Sequence, residues 1–404
     1  VGEKMYNLDL NIVSTLILSI VLYLFGNFLT NKIYILNKLC IPSPVVGGLT
    51  FSLFVFILEY FKLVNVSMNT LLMPYFMSFF FTIVGLNVSF KLLKKGGKVL
   101  IIYWLLCALL GFCQNIITFI SSKLLNINPL LALMCGNISM EGGHGYSLAF
   151  GRTLESLGVE NACNVGFASA TLGLIMGGII GGPIAKILIE KYHLKSSNIH
   201  KVNKSSLMKS NTSILDINDT LFFEQILIVL VSMSVGSVLA NIINVYFHIV
   251  IPSIVGCIFV AVLFRNFNDK TKIMIMDFKL LDFLQNLSLG MFLTMALMSI
   301  DLFTLSSLFG PIVFIVICQV IFIIIFATTF AFKLLGKDYD AAVMISGMLG
   351  HGLGATPNAL ANMGSVTNKY GASANAYLVV PLVAAFLLDV FSIPCILFFI
   401  NILT

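Results

Sequence analysis

Long, uninterrupted apolar runs alternate with short polar connections along this chain. Crossing roughly 30 Å of hydrocarbon as a helix takes about 20 residues. Runs near that length are read at residues 8–30, 41–62, 71–92, 98–122 and 162–190, and again at 221–247, 251–265, 278–300, 311–335 and 374–402. They are continuously apolar, whereas barrel strands would alternate, so the backbone pairs its polar groups within helices. Residues 127–150 and 339–362 are also apolar but are broken by Gly, Asn, Ser, Thr and His, the mark of re-entrant hairpins that enter a membrane and return. Residues 191–220, rich in Ser, Asn and Lys, read as a linker.

The order of these elements repeats. Ile41-Pro42-Ser43-Pro44-Val45-Val46-Gly47 returns as Ile251-Pro252-Ser253-Ile254-Val255-Gly256, and Gly143-His144-Gly145 returns as Gly350-His351-Gly352, offset by 210 and 207 residues. Gln114 and Gln319 correspond at an offset of 205 inside apolar runs. The expected architecture is therefore an all-α polytopic membrane protein of about ten transmembrane spans in two five-helix repeats, each with a re-entrant hairpin. Residues 1–190 form the first repeat and 221–404 the second. An odd number of spans per repeat inverts one copy against the other, which places a binding site between them.

Composition agrees: 59% of the 404 residues are hydrophobic and 10% charged. The net charge of +6 does not point to nucleic acid, because the basic residues sit at span ends. Lys91, Lys94, Lys95 and Lys98 after the third span mark a cytoplasmic loop, as do Lys186, Lys191, Lys195, Lys201, Lys204 and Lys209 around the linker. Counting outward puts both termini and the loop from Val64 to Thr70 outside, and Arg265, Lys270, Lys272 and Lys333 inside. The first residues lack the form of a cleavable signal, so the first span is expected to be retained. Eight cysteines, Cys40, Cys107, Cys113, Cys135, Cys163, Cys257, Cys318 and Cys395, fall mostly within apolar runs without a CxxC pair and read as buried thiols.

The hairpins carry the chemistry. Asn137, Ser139, Glu141, Gly143, His144 and Gly145 lie on the first; His351, Gly352, Gly354, Ala355 and Thr356 lie on the second. Glycines let the backbone turn and approach a ligand, and free N–H groups at the following helix start attract a carboxylate. The same glycines serve close helix packing, and both histidines read equally as hydrogen-bonded structural groups. The Thr356 hydroxyl and nearby carbonyls suit a small cation. Asp389 and Glu141 are ionisable groups at membrane depth; Asp389 reads as a cation ligand or proton carrier, and Glu141 as a further sodium ligand, a proton carrier or a partner of Arg152. Arg152, one of two arginines, suits a substrate carboxylate, a pairing with Glu141, or a span end. The run from Gly173 to Pro183 provides a small-residue packing surface.

Ile41 through Gly48, Gly142 through Gly145, the glycine run ending at Pro183, Tyr339-Asp340-Ala341-Ala342-Val343, Gly350 through Pro357, Ala359-Leu360-Ala361-Asn362-Met363 and Val379-Val380-Pro381 together resemble the bacterial sodium/glutamate symporter family. The resemblance covers nearly the full length and implies a homodimeric inner-membrane carrier with a scaffold part and an elevator-like transport part. It implies L-glutamate as substrate, Na+ as coupling ion and no other cofactor. Substrate and sodium would lie by Gly143, His144, Gly145, Gly352, Gly354, Ala355 and Thr356, and Asp389 matches an acidic position in the family's last span. Glu141, in place of a small residue, and bulky Tyr146 depart from the family pattern. An added acid repels a second carboxylate unless it is protonated or paired, which leaves another small carboxylate, with sodium or proton coupling, as the alternative cargo. An intramembrane protease is disfavoured because Gly352-Leu353-Gly354 is followed by Ala355 where an aspartate is required, and a channel because no ring of like charges is visible.

Overall fold

A computed structural model describes residues 6–38, 41–89, 97–196, 219–247, 251–300 and 302–404. Cys40, Lys91, Lys94, Lys95, Lys201, Lys204, Lys209 and most of the linker lie outside the described residues.

The described chain is largely helical. Seven helices among these residues are long and apolar enough to cross a membrane: Ile12–Lys32, Ser43–Tyr60, Gly97–Leu125, Ala162–Lys191, Asp219–Tyr246, Phe278–Met298 and Leu308–Leu334. Their outer faces carry large apolar side chains, such as Val13, Ile17, Leu24 and Phe28 on the first and Phe314, Ile317 and Ile321 on the last. Such surfaces are stable only against lipid, so the protein is a multi-pass membrane protein. The expected spans at 71–92, 251–265 and 374–402 fall outside this set. Met73–Asn87 is short, Ser253–Thr271 ends in Arg265, Asp269 and Lys270, and the final segment is divided by a π-helical stretch, Val383–Leu387.

One expectation is corrected. Residues 8–10, read as the start of the first span, belong to strand β1, Tyr6–Leu10, which pairs in parallel with β2, Val64–Met68. Strand β1 leads into helix α1, Ile12–Lys32, and β2 follows helix α3, Ser43–Tyr60; α2 is the short helix Tyr34–Lys38 between them. A chain that crosses and returns brings β1 and β2 to the same end of the α1–α3 pair, where their backbones satisfy each other.

Local chemistry sets the helix starts. Asn11 Oδ1 accepts from Ser14 N at 2.9 Å, Asn128 Oδ1 from Leu130 N at 2.9 Å, and Asp338 Oδ1 from Ala341 N at 2.8 Å, each an N-cap. Pro42 and Pro252, from the duplicated Ile-Pro-Ser motif, both hold extended backbone just before a helix, α3 and α11 (Ser253–Thr271).

Each of these two helices makes a close glycine contact. Gly26 of α1 meets Gly47 of α3 so closely that a methyl group on Gly47 would stand 1.9 Å from Leu22 O. Gly236 of α10, Asp219–Phe247, meets Gly256 of α11 likewise, with a methyl on Gly256 at 2.1 Å from Gly236 O. Helix α4, Met73–Asn87, packs on α11 and on α12, Phe278–Met298, which also packs on α3. Ile83, Leu86, Ile228, Val229, Ala261 and Leu281 make a separate apolar cluster among α4, α10, α11 and α12.

Candidate substrate and cation site

The first broken segment is α6, Pro129–Leu133, then α7, Asn137–Met140, a break at Glu141 and Gly142, and α8, Gly143–Ser156. After α13, Leu302–Ile325, and α14, Phe332–Leu334, the second is α15, Tyr339–His351, a break at 352–355, and α16, Thr356–Tyr370. Gly143 takes φ +59°, a conformation a side chain resists, and this lets the chain turn sharply into α8. A methyl on Gly143 would lie 3.3 Å from Gly354 O, so the two breaks adjoin. Neither α8 nor α16 has a side-chain cap at its N-terminus. Two uncapped helix starts thus stand at neighbouring breaks, each equivalent to about half a positive charge.

Helix α9, Ala162–Lys191, lies against both segments. Methyl groups on Gly173 and Gly177 would stand 2.4 Å from Leu353 O and 3.1 Å from Leu349 O. The amides of Asn358 and Asn362 then donate to Leu174 O and Gly177 O at 2.7 and 2.9 Å, locking α16 onto this small-residue surface. Helix α5, Gly97–Leu125, runs between the segments with a buried polar stripe. Tyr103 Oη meets His351 Nε2 at 2.8 Å, Gln114 Nε2 donates to Gly352 O at 2.8 Å, and Asn115 Oδ1 accepts from Asn137 N at 3.1 Å. Gln319 Nε2 donates to Gln114 O at 2.9 Å, joining the two residues that correspond in the duplication.

The last segment, α17 (Ala374–Leu382), the π stretch and α18 (Leu388–Leu403), connects everything. A π turn displaces backbone carbonyls from regular pairing and often marks a functional site. Here Ala384 O accepts from Thr356 Oγ1 at 3.2 Å and Leu387 O from Trp104 Nε1 at 2.7 Å. Asp389 Oδ1 accepts from Tyr146 Oη at 2.5 Å, and Ser392 Oγ donates to Glu141 Oε2 at 3.0 Å. The last segment therefore contacts both breaks through positions 384, 389 and 392.

The structure sorts the residues expected from sequence. Gly143, Gly354, Ala355 and Thr356 stand at the adjoining breaks, and Asp389 and Glu141 reach the same neighbourhood through the last segment. His144 is turned to Thr171 Oγ1 at 3.0 Å and stacks on Phe167, while His351 and Gly352 face α5. Ser139 Oγ is enclosed by Met134 O, Gly166 O and Ser147 Oγ. Its hydroxyl holds the first segment together.

Arg152 lies apart. It is nine residues beyond Gly143 on α8, about 13 Å along the axis, and it lines a cavity of ≈ 590 Å³ with Asp9, Ser67, Asn69 and Thr70 beside the β1–β2 strands. The proposed pairing with Glu141 is absent from the ion pairs among the described residues. Arg152→Ala is expected to lower apparent substrate affinity by less than about tenfold, equivalent to 1.4 kcal/mol. A loss exceeding about a hundredfold in competition uptake assays would return Arg152 to the substrate.

Sequence reasoning missed Tyr103, Ala384 and Ser392. Ser392 was accessible to it, since it lies three residues after Asp389 on an adjoining helix position. Tyr103 and Ala384 had no local signal, because their roles depend on partners 248 and 28 residues away.

The chain matches the sodium/glutamate symporter family over residues 8–372. It is 34% identical over 395 residues to the sodium/glutamate symporter of Escherichia coli (strain K12), covering 96% of each chain. It is 35% identical over 380 residues to that of Haemophilus influenzae, covering 93% of each. The likeness extends through both broken segments and their connecting helices, so this chain belongs to the sodium/glutamate symporter family.

Proposed function

We propose that this protein is a sodium-coupled carrier that takes up L-glutamate or a closely related acidic amino acid across the bacterial inner membrane. It is a transporter and not an enzyme, with Na+ as coupling ion and no resident cofactor. The single observation that carries this reading, beside family membership, is that two uncapped helix starts, at Gly143 and Thr356, stand at breaks that meet through Gly143 and Gly354, near a deep acidic residue, Asp389. Helix starts suit carboxylates, and a carboxylate with hydroxyl and carbonyl oxygens suits a small cation.

In this reading Gly143, His144, Gly145, Gly352 and Gly354 border the substrate, with Asn137, Ser139 and His351 supporting the segments behind them. Asp389, Thr356 and Ala355 border sodium, with Ala384 O as a further oxygen. Sodium arrives first and offsets the negative field of Asp389, which lowers the cost of admitting an anion. Coupling follows if the transport part crosses only when empty or fully loaded, because each ligand biases the same conformational equilibrium.

The finer architecture belongs to the same proposal. The paired glycine crossings of α1–α3 and α10–α11 support two inverted five-helix repeats with ten spans, the short and interrupted helices completing the count. The broken segments then enter from opposite faces, both termini lie outside, and the linker is cytoplasmic. The α1, α3, α4 and α10–α12 group forms the scaffold of a homodimer, and the remainder moves as the elevator.

The test is uptake of radiolabelled L-glutamate into proteoliposomes with and without an inward sodium gradient, with aspartate, glutamine and dicarboxylates as competitors. Sodium-driven accumulation competed by acidic amino acids is expected. Uptake unchanged without sodium overturns the mechanism. Stabilisation and uptake of another competitor alone moves the cargo to that compound.

A further inference from the structure

We propose that Asn137, Glu141 and Ser392 form a second sodium site, separate from Asp389, an inference that rests on the reading of this chain as a sodium-coupled carrier. Glu141 is 8% exposed and Asn137 1%. Glu141 Oε2 accepts from Ser392 Oγ, but Glu141 Oε1 and Asn137 Oδ1 are buried without a hydrogen-bond partner. Unpaired buried acceptors are rare, and each demands an explanation such as a bound ion.

The two residues are four apart and share one helix face. They flank a single glycine of α5: a methyl on Gly111 would stand 2.2 Å from Asn137 Nδ2 and 2.8 Å from Glu141 Oε2. The absent side chain at position 111 leaves room for the Asn137 amide and the Glu141 carboxylate side by side.

The charge surroundings supply no counter-ion. The titratable groups facing Glu141 are Tyr103 and Cys107 of α5, Tyr146 of α8, and Asp389 and Cys395 of α18. None is a lysine or arginine, and among the described residues no basic side chain pairs with Glu141. A carboxylate buried without a partner is strongly unfavourable. A hard cation ligated by oxygens resolves the charge and both orphaned acceptors together. One carboxylate with two neutral oxygens balances a single positive charge, which selects a monovalent ion. The carrier then moves a singly negative amino acid past two fixed carboxylates with two sodium ions.

Two measurements on the full-length protein test this. The first is the ratio of ²²Na+ to ¹⁴C-glutamate taken up by proteoliposomes. The second is thermal melting in detergent, titrated with NaCl against choline chloride at constant ionic strength and without substrate. In Glu141→Gln the flux ratio is expected to fall by one sodium and the sodium dependence of melting to become less steep. Asn137→Ala, which keeps the charge, is expected to raise the sodium concentration at half-effect by about tenfold or more. It also serves if Glu141→Gln does not fold. Unchanged ratio and sodium titration in both variants overturn the second site. A proton flux lost in Glu141→Gln at constant sodium ratio overturns it too, by assigning the group to a proton. A wild-type protein that neither accumulates glutamate with sodium nor is stabilised by it defeats the carrier reading itself.

Discussion

Asp389→Asn is expected to abolish sodium-driven uptake, with apparent sodium affinity falling by about a hundredfold or more, equivalent to some 2.7 kcal/mol. The substitution keeps shape and one hydrogen-bond acceptor for Tyr146, and removes only the charge. A carboxylate at membrane depth costs about 2.5–3.5 kcal/mol on insertion scales, and Asp389 has no basic partner among the described ion pairs to offset it. Among the described residues, the side-chain donor at hydrogen-bond distance from Asp389 is the Tyr146 hydroxyl, at 2.5 Å. Tyr146→Phe separates the two roles. It leaves the charge and removes the donor, so its effect on sodium affinity is expected to stay below about tenfold. Sodium titration of uptake and of melting temperature reads both variants. A Tyr146→Phe loss as large as that of Asp389→Asn would mean that the hydrogen bond, and not the charge, is what transport requires.

Gly47→Ala and Gly256→Ala are expected to prevent correct assembly of the membrane-embedded fold. In each case the new methyl collides with a backbone carbonyl, at 1.9 Å from Leu22 O or 2.1 Å from Gly236 O, and backbone cannot rotate away as a side chain can. Separating two helices that pack at such a crossing forfeits the contacts along their whole length. Overpacking on this scale costs about 3 kcal/mol, and in lipid no hydrophobic force re-gathers helices once their fit is lost. The readouts are yield of monodisperse protein on size exclusion and melting temperature in detergent. Gly310→Ala is the control: its methyl would meet nothing within 4 Å, so it is expected to behave as the parent protein. Equal damage from all three would point to helix propensity or insertion instead of the crossing.

The crossing also shows which parts of the fold were legible in advance. The Ile-Pro-Ser motif occurs twice, and each of its prolines directly precedes a helix. The partners of those helices, Gly26 and Gly236, carried no motif, because their glycines are required only by what another helix places against them. The same division runs through the site. Gly143 and Gly354 were marked by glycine-rich breaks in apolar runs, and Asp389 by a charge where lipid forbids one. For Arg152 the sequence left a substrate carboxylate, Glu141 or a span end open, since closeness in sequence along α8 becomes about 13 Å of helix.

The sequence by itself determined the solvent, the helical class, the breaks in two apolar runs and the family. Each follows from local chemistry: apolar length against bilayer thickness, proline and glycine against backbone geometry, and charge against lipid. Only the tertiary structure decided that His351 turns to Tyr103, that the π stretch offers Ala384 O to Thr356, that Ser392 reaches Glu141, and that one acidic oxygen there is left without a partner. Such pairings join residues up to 251 positions apart. Helical periodicity specifies which face a residue occupies but leaves open which helix that face will meet, and that choice is made by the packing of the whole bundle.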